Sequence, residues 1–235
     1  MKPDNKPLKP QRHLLAAFGL GALGLIVLIA TGVAKEKASC GKSASPAGDL
    51  APTGALVGAK APNFTLKSLD GKTVSLTDFK GKTVVLEWFN PDCPFVNLAH
   101  SRTLSMKGKA KHYREKGVVW LAINSNGPGK QGYEKSANQA GRSRFGIAYP
   151  ILLDPTGKVG KAYGAKRTPE FFVIDKTGVV AYHGAIDNTR GGDASDAEPP
   201  PAENYVDAAL TALLSNSPPV VRETLPWGCS VKYSE

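Results

Sequence analysis

The sequence predicts an α/β domain, and three observations carry that expectation. Two nearly continuous apolar, β-branched runs, "KTVVLEWF" and "GVVWLAINSN", have the texture of central strands covered on both faces. Strand-like segments alternate along the chain with stretches of helical periodicity. One cysteine, Cys93, stands just after the first apolar run and just before a helical stretch opening at Pro94. In open α/β sheets that rim, at the carboxyl ends of the strands, is where ligands gather.

The elements follow in order from Val57. "APNFTLKSLDGKTVSL" has two short alternating runs around Asp70-Gly71, the pattern of an N-terminal β-hairpin. After the first central strand, Pro94 to Lys116 is helix-like and broken in the middle by Gly108. Pro94 suits a first helical turn, where its missing N–H costs nothing. The second central strand ends in polar Asn124 to Asn126, and a polar helical segment covers roughly 133–144. "YPILLD" is a short strand and "TGKVGKAYG" a short helix or turn. "PEFFVID" and "GVVAYHGAI" form a hairpin through Lys176-Thr177-Gly178. Residues 187–203 are polar and proline-rich, a surface loop. "NYVDAALTALLS" places Val206, Leu210, Leu213 and Leu214 on one helical face, with Asn204 as N-cap. The domain is therefore expected over 57–215, followed by a tail, 216–235, that carries Cys229 and has no clear helix or strand pattern.

Ahead of the domain lie a basic tail (1–13, with Lys2, Lys6, Lys9 and Arg12), an uncharged run (14–34) and a small, polar linker (35–56). The uncharged run of about 21 residues matches a bilayer-spanning helix and exceeds the usual secretory core of about 7–15 residues. It reads as a transmembrane anchor or a signal segment, with Ala30, Gly32 and Ala34 near its end compatible with cleavage. This layout places the domain on the periplasmic side of a bacterial cell envelope, anchored to the inner membrane or exported. Cys40, in "EKASCGKSASPAG", reads as incidental, because Lys37 stands where lipid attachment would want an apolar residue.

The net charge of +10 is spread over tail, helix and scattered lysines. No zinc spacing or aromatic-plus-basic pattern accompanies it, which argues against a nucleic-acid partner. The four histidines have no ligand-spaced neighbours, so neither a metal nor another cofactor is expected. Three cysteines in an oxidising compartment leave at least one thiol unpaired or open to a partner.

Cys93 at a helix amino end would meet oriented N–H groups and a partial positive charge, both of which favour thiolate. Asp92 beside it opposes that effect, and the nearer, directed N–H groups should win. His100 lies about 10 Å along the same helix, too far to serve as the sulfur's base. Glu87 in the first central strand is either a proton shuttle or exposed at the rim. Trp88 and Phe89 either pack in the core or flank a substrate groove. For Cys93 itself the alternatives are a reactive thiolate and an inert buried thiol.

The segments "APNFTL", "VVLEWFNPDCPF", "TPEFFVID" and "GVVAYHGAI", in this order, resemble extracytoplasmic thioredoxin-like and peroxiredoxin-like (redoxin) proteins over about residues 57–215. "WGCSVKY" resembles the ending of a bacterial group with the "NPDCPF" motif, which extends the match to Tyr233. The resemblance implies a thioredoxin-like fold, a central mixed sheet flanked by helices. It also implies that Thr168-Pro169 is the cis-proline element facing Cys93 and shaping a substrate groove, alongside Trp88, Asn90, Pro91, Asp92 and Pro94. The expected partner is a thiol or disulfide protein, or a small peroxide.

The departures are as informative. Thioredoxins carry Cys-x-x-Cys, but position 96 is Val; copper-delivery relatives use Cys-x-x-x-Cys, but position 97 is Asn. The proline and threonine of typical peroxiredoxin sites are Leu86 and Asn90 here. A lone nucleophilic sulfur needs a second thiol to resolve the intermediate it forms. Cys229, between Gly228 and Ser230, is the internal candidate, and a Cys93–Cys229 disulfide is the corresponding expectation. Two function classes follow: a thiol-dependent oxidoreductase with Cys93 as nucleophile and Cys229 as resolver, or a non-catalytic thioredoxin-like binding module in which Cys93 is inert or statically bridged.

Overall fold

The centre of the molecule is β3 (Val84–Trp88), whose five residues are all buried. It pairs in parallel with β4 (Val119–Asn124) and antiparallel with β7 (Glu170–Ile174), which explains the continuous apolar runs of the sequence. The computed structural model describes residues 54–101, 106–189 and 203–234. The segment 14–34, Cys40 and most of the 35–56 linker and the 187–203 loop lie outside those residues. Among the described residues no helix is long and apolar enough to cross a membrane.

Around β3 the remaining strands complete a seven-stranded mixed sheet. They are β1 (Thr65–Ser68), β2 (Thr73–Ser75), β5 (Ile151–Leu153) and β8 (Val180–Gly184), and the order is β2-β1-β5-β4-β3-β7-β8. The Asp70-Gly71 turn closes the β1–β2 hairpin, and β7 pairs with β8 across Lys176-Thr177-Gly178. Among the described residues, α1 (Pro94–Ser101), α2 (Met106–Glu115), α3 (Lys135–Phe145), α4 (Lys158–Tyr163) and α5 (Tyr205–Leu214) flank the sheet. Asn204 caps α5, its Oδ1 accepting the Asp207 N–H at 2.7 Å. Gly108 does not break its helix, as the sequence suggested. α2 runs through it, because a glycine inside a helix costs only about 1 kcal/mol and Met106 and Ala110, both buried, repay that by packing.

The period-2 alternation of β3 divides the core. Val85 and Phe89 join Val96 and Ala99 of α1, Phe145 of α3 and Leu210 of α5 on one face. Leu86 and Trp88 join Phe64, Tyr163 of α4 and Phe172 on the other. Trp88 is thus no part of a substrate groove. It is fully buried on the face opposite α1, tilted against Tyr163 and edge-on to Phe172, with its Nε1 donating to Ser125 Oγ at 3.1 Å. A side chain so enclosed stabilises by about 1.5–3 kcal/mol through burial alone.

The chain after α5 becomes a strap. It first follows β8, where the His183 N–H donates to the Arg222 carbonyl and the Thr224 N–H to the His183 carbonyl, both at 3.0 Å. Two short strands, β6 (Arg167–Thr168) and β9 (Cys229–Ser230), then pair antiparallel with Thr168 opposite Cys229. Beyond β9 the Gly127 N–H donates to the Lys232 carbonyl at 2.7 Å, and Tyr233 Oη donates to the Ala165 carbonyl at 2.7 Å. The Tyr233 ring lies against Gly157 and Gly160, where a side chain at Gly160 would collide with its hydroxyl. The tail is therefore stitched across the carboxyl rim of the sheet by side chains and backbone together.

Candidate active site

Cys93 sits where the end of β3 turns into α1. Asn90 builds the turn: fully buried, its Oδ1 accepts the Asp92 N–H at 3.0 Å, and the Cys93 N–H donates to the Asn90 carbonyl at 3.2 Å. Asn90 is thereby committed to the loop through its oxygen, while its Nδ2 is buried with no partner. Pro91 is buried, whereas Asp92 and Pro94 are exposed on either side of the sulfur. Cys93 is only 1 % exposed, and its Sγ donates to the Thr168 carbonyl at 3.1 Å. The Thr168-Pro169 bond is cis.

Cys229 reaches this place through the strap. It lies opposite Thr168 in register, near enough to Cys93 and to the Phe95 N–H in the first turn of α1 for both to act on its thiol. Both cysteines are present as free thiols, so the expected disulfide is not formed in this state. Burial first, then the hydrogen bond and charge of Cys93, push the Cys229 thiol up from 9.0 to about 11, while Lys232 and the Phe95 N–H act in the opposite sense. Cys93 itself gives its thiol proton to the Thr168 carbonyl.

Gly228 makes the close pairing possible. It has φ +130, and a Cβ there would strike the Thr168 carbonyl and crowd the Pro169 nitrogen. Trp227 packs edge-on against Phe95 with centroids 6.1 Å apart and donates its Nε1–H to the Asp187 carbonyl at 3.2 Å. Thr168 is held from below by Glu170. One carboxylate oxygen accepts the N–H groups of Lys166 and Arg167, each at 2.7 Å, and the other contacts His183 Nε2 at 2.7 Å.

The surroundings of Glu87 and the place of Arg144 were illegible at sequence level. Glu87 is neither exposed nor at the rim; it is fully buried beneath the active-site loop and bonded to His100 Nε2 at 2.7 Å. Tyr149 Oη donates to the same carboxylate at 2.8 Å, and burial, reinforced by Glu87, drives the tyrosine's pKa well up. Helical spacing turns His100 inward, onto Glu87 of the preceding strand. Arg144, at the last turn of α3, donates to the Pro91 carbonyl and lies over the Phe145 ring. Together with Pro91, Asp92, Pro94 and Asn97 it lines an open depression that reaches Cys93. Among the described residues no cluster suits a metal ion.

A mixed sheet with a cysteine at the β3–α1 junction opposite a cis-proline defines a thioredoxin-like α/β protein. The Redoxin family model matches residues 56–199, and the chain belongs to that family. It is 35 % identical over 135 residues to the thiol-disulfide oxidoreductase ResA of Geobacillus thermodenitrificans, covering 54 % of this chain and 68 % of the relative. Its counterpart from Bacillus subtilis is 31 % identical over 123 residues, with 52 % and 64 % covered. Among solved structures, an uncharacterized conserved protein from Geobacillus kaustophilus superposes with TM-score 0.66 at 31 % identity, covering 76 % of this chain and 93 % of that one. A hypothetical protein from Sinorhizobium meliloti gives 0.63 at 28 % identity, with 76 % and 95 % covered.

Proposed function

We propose that this protein is a thiol-disulfide oxidoreductase whose redox couple is Cys93 and Cys229. The observation that carries the reading is the convergence of both sulfurs on Thr168, one through its carbonyl and one through strand pairing. In the reductive direction the Cys93 thiolate attacks a substrate disulfide, forming a mixed disulfide and releasing one thiol. The Cys229 thiolate then attacks Cys93 Sγ, releasing the second thiol and leaving a Cys93–Cys229 disulfide; an external dithiol restores the pair. The relatives named thiol-disulfide oxidoreductase support the same chemistry. Disulfide exchange of this kind operates in oxidising compartments, which suits a domain held outside the cytoplasm by residues 14–34.

Peroxide reduction is less well supported. The residue at the threonine position of a peroxiredoxin site, Asn90, is fully buried and commits its side-chain oxygen to the Asp92 N–H. The deciding experiment follows the oxidation state of both thiols by intact mass, in wild type, Cys93→Ser and Cys229→Ser, with a disulfide substrate and with hydrogen peroxide. Oxidation of the wild type by disulfide, with a trapped mixed disulfide in Cys229→Ser, is the expected result. Wild-type thiols that stay free against the disulfide would return Cys93 to the role of an inert thiol in a binding module.

A further inference from the structure

Access to Cys93 is asymmetric. On one side the sulfur is closed off by the chain itself, through β9 paired to β6, Cys229 in contact with Cys93, and Trp227 seated on Phe95. The Val231 N–H adds a bond to the Lys166 carbonyl at 3.0 Å, so the backbone of the β6 segment is already engaged by the strap, by Glu170 and by Cys93. An extended polypeptide that docked by adding a strand to β6 would have to displace β9 first. On the other side lies the open depression between the first turn of α1 and the last turn of α3. Arg144 stands there as a pre-positioned cation, pinned by the Pro91 carbonyl and the Phe145 ring. Asp92, exposed on the same depression, is the opposing charge.

We propose that the disulfide exchanged at Cys93 belongs to a low-molecular-weight, carboxylate-bearing compound admitted through this depression, with Arg144 as its specificity-determining residue. This rests on the disulfide exchange proposed above. The strap excludes strand-forming polypeptides and keeps the resolving thiol in place. The opening admits a substrate small enough to bring one sulfur in line with Cys93. Arg144 draws the carboxylate by a charge-assisted hydrogen bond. Electrons balance as before: one substrate disulfide becomes two thiols, and the Cys93–Cys229 dithiol becomes a disulfide.

The test uses the reduced full chain, freed of reductant, at near-physiological salt. Four probes are compared: dithiodiglycolate (anionic), 2-hydroxyethyl disulfide (neutral), cystamine (cationic) and insulin (a protein disulfide). Formation of the internal disulfide is timed by intact mass, and each rate is divided by that of the same probe with a free small thiol. The expected order places all three small probes at least about 30-fold above insulin, since displacing β9 breaks several hydrogen bonds. The anion-to-cation ratio should be about 10 in wild type, fall severalfold in Arg144→Ala, persist in Arg144→Lys and rise in Asp92→Asn. Insulin reacting as fast as the small probes would overturn the size restriction. A ratio unmoved by Arg144→Ala would overturn the role of Arg144. If none of the four probes oxidises the chain, disulfide exchange itself fails, an outcome distinct from both.

Discussion

Thr168 stands between the two thiols: its carbonyl accepts the Cys93 thiol proton at 3.1 Å, and its backbone lies opposite Cys229 in the β6–β9 pair. One residue thus sets the position of a thiol from the middle of the chain and another from its far end. The structural dependence of the couple on this junction leads to three expected outcomes, and the buried Glu87–His100 contact leads to a fourth.

Substituting Gly228 should loosen the couple without unfolding the domain. A valine there must leave φ +130 or push away the Thr168 carbonyl, at a cost of about 1–3 kcal/mol. Equilibrating Gly228→Val with a glutathione redox buffer should show the internal disulfide forming about 10- to 100-fold less favourably than in wild type. An unchanged equilibrium would mean that β9 pairing does not hold Cys229 in place.

The resolving step should be steeply pH-dependent. With the Cys229 thiol raised to about 11, nearly all of it is protonated near neutrality, and only the thiolate attacks. Decay of a preformed mixed disulfide on Cys93, followed by mass after rapid acid quench, should speed up about tenfold per pH unit from neutrality upward, because burial still raises the Cys229 thiol after the Cys93 charge is gone, and should level off once that thiol is ionised.

Lys232 opposes the rise at Cys229, so Lys232→Met should move the same profile to higher pH. The resolving rate near neutrality should fall accordingly, while the first attack by Cys93, measured in Cys229→Ser, serves as the internal reference.

The buried Glu87–His100 contact should matter to stability. Removing His100 leaves a carboxylate in the core with a lost partner, and His100→Ala should cost about 3 kcal/mol in urea unfolding. Adding Glu87→Gln to that variant should recover part of the loss; strict additivity of the two changes would show that the residues do not interact.

The sheet was largely legible because its central strands β3, β4 and β7 are buried on both faces, and uninterrupted runs such as "VVLEW" admit few other readings. The α5 cap was legible for a related reason: Asn204 acts on a residue three positions away. The geometry of the site was legible where chemistry is local, and the distant Thr168-Pro169 element only through resemblance. Asn90, Asp92 and Cys93 form one loop, but nothing near Glu87 in the chain announces His100, and nothing near Arg144 announces Pro91. Trp88 misled because an aromatic beside a reactive cysteine suggests a groove, whereas strand alternation turns it to the opposite face. Cys229 was found by elimination, from the need for a second sulfur, and its neighbour Gly228 supplied the supporting clue.

The strap also has a consequence in time. Cys93 emerges during synthesis well before the segment that carries Cys229, and amino-terminal parts of a chain fold first. On the proposed cycle, a chain that lacks residues 227–233 can form a mixed disulfide at Cys93 but has no Cys229 to resolve it. Such a chain depends on an external thiol for release, and the finished strap is what makes resolution intramolecular.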